Sequence, residues 1–264
     1  MKSIEQIVDA LHVEDLRNDI HPSFFDENEE YNMLIVRLPI VGDTLDVTSM
    51  GFVYTSNNCY FYNKTDQKFE AFNNLFDGPY KLIDKVLNQL LKAFMTYQDT
   101  VASMSELLYA KKNTSDYMTD WLSLKQDLVR IEYILFRTSS AMNEFIKYHE
   151  HNDLFPMNNY TDLHEHIERI KYSAGLQLSK LDDIYSFYTV RTNEKMNKMI
   201  YLLTIISAIF LPLNLVVGFF GMNTSGLPFS GGDVGTLRAI ILMVVLMLTT
   251  SLIVYVWYRK VEEL

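Results

Sequence analysis

Residues 161–168 read TDLHEHIE. Asp162 and His166 stand four apart, and so do His164 and Glu168. On a helix each pair shares a face. Carboxylate with imidazole is a workable divalent-cation set, and mixed N/O ligands suit Zn, Co or Ni at least as well as Mg. Glu165, between the two histidines, joins them as a candidate ligand. Just upstream, His149, Glu150, His151 and Asp153 offer more. A solvated polar face, with acids near a helix N-terminus, fits the same spacing. A second stretch, FFGMNTSGLPFSGGDVGT at 219–236, sets Gly221, Met222 and Asn223 at the mouth of an apolar segment. That is an unusual place for a neutral carboxamide.

The elements that must position these residues follow from hydropathy. Met199–Phe220 contains no charged residue, and neither does Ala239–Trp257. At about 1.5 Å per residue the first run reaches roughly 33 Å, enough for a bilayer core. Arg191, Lys195 and Lys198 precede the first run, and Arg259 and Lys260 follow the second. The positive-inside rule then places both chain ends in the cytoplasm and the connecting loop outside. Two helices cannot enclose a pore, so conduction would need several copies. Asn197 and Thr204 are one heptad apart, as are Ser207 and Asn214, and a pathway-lining face can be drawn through them. Bonding of Thr204 and Ser207 to their own backbone, with Asn214 relieving the helix around Pro212, fits equally well.

Charge and composition narrow the classes. The net charge is −10. From Met199 onward Arg238, Arg259 and Lys260 cancel Asp233, Glu262 and Glu263, so the whole excess belongs to residues 1–198. An acidic body of this kind disfavours nucleic acid and is compatible with multivalent cations. Cys59 is the single cysteine, which excludes an internal disulfide. MKSIEQIVDALHVEDL lacks the apolar core of a signal peptide, so the polar part is expected in the cytosol. No phosphate-binding glycine loop, GxSxG, HExxH or cysteine knuckle occurs. Nothing here supports an enzyme or a catalytic cofactor.

Within residues 1–76, strands are expected over 31–40, 44–55, 58–64 and 68–73, with a short helix near Ile4–Leu16. This is a small α/β unit. A helical hairpin follows over 77–156. Its first helix carries Leu82, Val86, Leu90 and Phe94 at i+4 steps, and its second begins near Thr114. Residues 157–198 form a stalk helix, starting near Thr161. Its seam runs through Leu163, Ile167, Ile170, Ala174, Gln177, Leu181, Ile184 and Tyr188. With no proline between Met157 and Pro212, the stalk should continue into a first transmembrane helix at 199–220. A loop at 221–238, a second transmembrane helix at 239–258 and a tail at 259–264 complete the chain. The fold class is an α+β cytosolic domain followed by a long stalk helix continuous with the first of two membrane helices.

Taken together, MNKMIYLLTIISAIFLPLNLVVGFFGMN resembles the pore helix and GMN signature of the CorA family of divalent-cation channels. Asn197 matches the family's inner asparagine, Thr204 its polar position one heptad on, and Pro212 its PL step. Asn214 stands where Thr is common, and Phe220 where Tyr is. Asp162 and His166 are similar to the Asp-x-x-x-His stretch where regulatory divalent ions bind between subunits. The resemblance implies a homopentameric funnel in the inner (cytoplasmic) membrane. It implies selectivity by Gly221, Met222 and Asn223 and a pathway lined by Asn197, Ile200, Thr204, Ser207, Leu211 and Asn214. Mg2+, with Co2+ or Ni2+ as further cargo, would be both substrate and cytosolic regulator. The regulatory set would be Asp162, His164, Glu165 and His166; their partner in the α/β domain is not assigned, and the acids of that domain include Asp43, Asp46 and Asp66. The loop TSGLPFSGGD looks more like that of ZntB-type relatives, which handle zinc. A proton-coupled zinc transporter and a non-conducting membrane-anchored metal sensor therefore stay open as alternatives.

Overall fold

The computed structural model describes residues 4–42, 44–110, 116–222 and 232–262. The chain divides into two units, residues 1–186 and 187–264.

The first unit opens with two short helices, α1 (Ile4–Ile7) and α2 (Ala10–Arg17). A single helix over 4–16 is the sequence expectation. Asp9 breaks it, because its side chain caps the second helix by accepting from the Leu11 amide at 2.8 Å. Five antiparallel strands follow in sheet order β1-β2-β3-β4-β5: Phe24–Glu27, Asn32–Val41, Leu45–Tyr54, Cys59–Asn63 and Lys68–Ala71. The first was missed from sequence. It is only FFDE, too short to show alternation. Pro39 sits within β2 without breaking the sheet, because β1 pairs only as far as Ile35 and leaves that edge open.

β2 is buried on both faces. Met33 and Ile35 join Val8, Leu16, Tyr31, Val53 and Tyr62 in one core. Leu34, Val36 and Leu38 point the other way and are also buried. Gly51 shows how closely α2 approaches the sheet. A Cβ built there would stand 2.2 Å from Leu16 Cδ2, and Leu16 is itself buried. Gly51→Ala should therefore cost about 1–3 kcal/mol through overpacking, seen as a lowered thermal midpoint for the first unit.

Three long helices complete the unit: α3 (Asp77–Tyr109), α4 (Tyr117–Tyr148) and the first part of α5 (Met157–Phe220). The buried stripe of α3 runs through Ile83, Leu87, Leu90 and Phe94, so Leu82 and Val86 give way to their neighbours. Thr114 lies outside the described residues. Every seam residue of α5 from Leu163 to Ile184 is buried, Gln177 included. Polar pins cross the helices. Tyr117 Oη donates to the Met104 carbonyl at 3.0 Å, and Trp121 Nε1 to the Leu181 carbonyl at 2.9 Å.

The second unit contains the remainder of α5 and a final helix, α6 (Gly232–Glu262). Both helices hold a stretch long and apolar enough to cross a membrane, with none of it buried inside the protein. Helix α6 begins at Gly232 rather than Ala239, so the connecting loop is shorter than the apolar run implied. The charged side chains of Asp233 and Arg238 do not prevent helix; they only hide it from a hydropathy reading.

Candidate ion pathway and carboxylate–imidazole cluster

Helix α5 meets α6 along Tyr201, Ile205 and Ile209, which share an apolar cavity of about 300 Å³ with Ser251, Val254 and Tyr255. These three residues occupy one face of the helix. Asn197, Ile200, Thr204, Ser207, Leu211 and Asn214 are all left exposed in the single chain. The face is polar at four of six positions and carries no charge. The Thr204 hydroxyl donates to the Ile200 carbonyl at 2.9 Å. For that residue the backbone-bonding alternative describes the single chain.

Pro212 lies inside α5 without ending it. The helix closes at Gly221, whose amide donates to the Val217 carbonyl at 2.8 Å. A Cβ at Gly221 would come within 3.0 Å of that carbonyl oxygen. Glycine is thus suited to the turn that follows the helix. Met222 is about half exposed. Asn223 lies outside the described residues.

In the first unit, Asp162 Oδ1 and His166 Nε2 face one another at 3.7 Å on α5. Asp162 is about half exposed, and His166 Nδ1 is buried without a hydrogen-bond partner. Sequence reasoning missed the acids opposite. Asp77 and Asp84 of α3 share the surroundings of Tyr80 with Asp162. Burial first, and then the charges of Asp84, Asp162 and Asp77, push the Tyr80 hydroxyl above its ordinary value. Two of these carboxylates sit on α3, more than seventy residues before Asp162, and no local spacing could have found them.

The four-residue regulatory set divides in the structure. His164 lies a half turn away from Asp162, where its Nε2 is 3.1 Å from Ser139 Oγ of α4. Ser139 also donates to Glu168, which Lys171 contacts at 2.5 Å. Partial burial alone would raise the Glu168 pKa. Hydrogen bonds from Lys171 and Ser139, with the charges of Lys171 and His164, bring it below the ordinary carboxylate value. His164 and Glu168 therefore fasten α5 to α4, and Glu165 is exposed elsewhere. Asp46, at the start of β3, accepts from the Val47 amide, and Asp66 accepts from Asn63. Asp43 lies outside the described residues. Among the described residues no three His, Cys, Asp or Glu side chains are grouped to hold a metal. Asp162 and His166 thus fit a divalent ion only as part of a ligand set, completed by water or by a second copy.

One apolar surface of the first unit lacks a cover. Val129, Tyr133 and Phe136 of α4 and Tyr172 and Leu176 of α5 line a groove of about 660 Å³. Tyr133 and Phe136 are each 57% exposed and Tyr172 is 70% exposed. Arg137 lies over the Tyr133 ring at 5.9 Å and Lys171 over Phe136 at 5.8 Å. Aromatic side chains this exposed, side by side, mark a contact surface.

Comparison with known proteins accords with this architecture. A family model described as CorA-like Mg2+ transporter protein matches residues 56–260. The chain is 24% identical over 260 residues to the cobalt/magnesium transport protein CorA of Methanocaldococcus jannaschii, covering 89% of this chain and 78% of that protein. It is 25% identical over 228 residues to the zinc transport protein ZntB of Vibrio parahaemolyticus, covering 81% and 70%. To the putative metal ion transporter YfjQ of Bacillus subtilis it is 21% identical over 155 residues, covering 56% of this chain and 47% of that protein's length. The fold superposes on the complete structure of the CorA magnesium transporter from M. jannaschii with a TM-score of 0.74 at 18% identity, covering 94% of this chain and 83% of that one. With the match spanning most of its length, the chain belongs to the CorA family, whose members are ion transporters rather than enzymes.

Proposed function

We propose that the chain assembles as a homopentamer in the cytoplasmic membrane, both ends inside, and passes Mg2+ down its electrochemical gradient. Co2+ and Ni2+ are further cargo. The observation that carries this reading is the uncharged face of α5, from Asn197 to Asn214, leading to Gly221, Met222 and Asn223. Mg2+ gives up its water reluctantly. Neutral hydroxyl and carboxamide oxygens can accept hydrogen bonds from a hydrated ion without stripping it. A ring of carboxylates would bind too firmly for release, and conduction needs both entry and exit.

Gating rests on the Asp162–His166 pair and the acids facing it. A divalent ion bound there neutralises Asp162 and the nearby carboxylates of α3 and holds the closed state; its loss lets like charges separate the helices. Asp162→Ala should leave Mg2+ uptake several-fold less sensitive to inhibition by internal Mg2+. Flux from vesicles loaded with graded Mg2+ measures this, and an unchanged inhibition curve refutes the assignment.

Zinc transport is the second reading, favoured by the ZntB relative and by the absence of an acidic residue directly after Asn223. An ion-competition flux assay separates the two. Mg2+ uptake blocked by Co2+ and Ni2+ fits the first. Zn2+ uptake that needs a pH gradient and ignores Mg2+ fits the second.

A further inference from the structure

Helix α6 has two contrasting faces. Ser251, Val254 and Tyr255 share the apolar cavity with α5. A second, shallow groove of about 500 Å³ is lined by Arg238, Ile241, Leu242, Val245, Leu246 and Thr249. At about 100° per residue the two sets are centred roughly 160° apart around the helix axis. Among the described residues nothing from α5 borders this groove. Arg238, Ile241, Leu242 and Val245 are exposed in the single chain.

The groove is apolar below a single charge. The Thr249 hydroxyl donates to the Leu246 carbonyl at 3.0 Å, so its hydrogen is satisfied within the helix. Arg238 stands at the loop-side end of the charge-free run that begins at Ala239. Residues 223–231 hold no acid, and Asp233 falls on the α5 side of the helix, away from Arg238. Among the described residues no carboxylate pairs with Arg238. A guanidinium at the edge of a hydrocarbon span, with no acid from its own chain, calls for an anion from its surroundings.

From Arg238 to Thr249 the face runs roughly 16 Å, which is about half of a bilayer core. That is the depth of one leaflet. A phospholipid on the loop side would set its phosphate at the arginine, where the planar fork of N–H donors matches phosphate oxygens. Its acyl chain would follow the groove. With no acid on this face to meet a headgroup amine, a net negative headgroup fits better than a zwitterion. A second copy fits less well, since the one acid between Met199 and Trp257 is Asp233. We propose that this face of α6 is a binding site for an anionic phospholipid, with the phosphate on Arg238 and an acyl chain against Ile241, Leu242 and Val245. The site requires that α6 cross the membrane, as in the transport reading, but not that any ion pass.

Native mass spectrometry of the full chain tests this, with the delipidated protein titrated by phosphatidylglycerol or by phosphatidylcholine of the same acyl chains. Phosphatidylglycerol should bind saturably, at a half-saturating concentration roughly five- to tenfold below that of phosphatidylcholine. Arg238→Gln should raise the phosphatidylglycerol value by about that factor and leave phosphatidylcholine unchanged. Arg238→Lys should keep part of the preference. Arg238 is exposed, so neither change disturbs packing within the chain. Lys195→Gln, at the other end of the membrane span, should change neither value. Inorganic phosphate should displace no lipid, because it has no chain for the groove. Equal binding of the two lipids, a preference untouched by Arg238→Gln, an equal shift in Lys195→Gln, or displacement by inorganic phosphate overturns the proposal. So does a change of oligomeric state in Arg238→Gln with lipid binding unaltered, which would assign the face to a second copy. A preference that follows Arg238 in a protein passing no Mg2+ supports the site and counts against the transport reading alone.

Discussion

Asn223→Ala is expected to abolish Mg2+ uptake while leaving the assembled protein intact. The carboxamide stands directly after Gly221 and Met222, where α5 ends. In a ring of copies, one substitution removes every carboxamide at the mouth together. In the proposed pathway each would offer a neutral oxygen to the ion's water, and hydrogen bonds to a charged partner are worth about 1.5–3 kcal/mol apiece. Loss of several should lower flux by well over a hundredfold. Asn223→Asp is the informative companion. It keeps the size and adds charge, so the ion should bind more tightly and pass more slowly. Flux from Asn223→Ala equal to wild type would remove the residue from the pathway.

The second large effect concerns assembly. Tyr133→Asp with Phe136→Asp should convert the proposed homopentamer to monomers and abolish transport, with the helical content of the chain unchanged. Both rings are already more than half exposed, so their replacement costs the single chain little. In an oligomer the same positions would be buried. Covering an aromatic side chain of this kind stabilises by about 1.5–3 kcal/mol, and an unpaired carboxylate there adds a desolvation penalty. Every interface in a ring would carry both changes. Native mass spectrometry from nanodiscs reads the outcome. Intact pentamers in the double variant would mean that this groove serves some other contact.

Much of the fold was legible from residue order, for reasons that differ by element. The α5 seam was read correctly because its 4-3 spacing is unbroken from Leu163 to Ile184. The membrane segments were legible because charge disappears for whole runs. Helix α3 was placed correctly, and Leu90 and Phe94 are buried as expected, but the first two positions of its buried face were assigned one residue off. Leu82 and Ile83, and Val86 and Leu87, are adjacent apolar pairs, and only packing against β2 and α4 chooses between them. β1 went unseen because four residues cannot display a period.

The site was less legible than the fold. Asp162 and His166 form a pair as the i, i+4 spacing predicts. His164 was drawn into the same cluster because it is close in sequence, yet Ser139 of α4 holds it on another face. Asp77 and Asp84 approach from a distant part of the chain. Side chains that meet across elements leave no trace in local spacing. A role for Gly221, Met222 and Asn223 is expected only through family resemblance, since nothing in their chemistry alone separates a pore mouth from an ordinary polar loop, and Asn223 lies outside the described residues.

In the proposed function, neutral oxygens along α5 conduct a hydrated Mg2+ ion. Uptake of Mg2+ by the purified wild-type protein in liposomes, with a membrane potential negative inside and no pH gradient, tests it most directly. Mg2+ entry that follows the potential and is blocked by hexaamminecobalt(III) is expected. No Mg2+ entry under those conditions, with the oligomer intact, would contradict it.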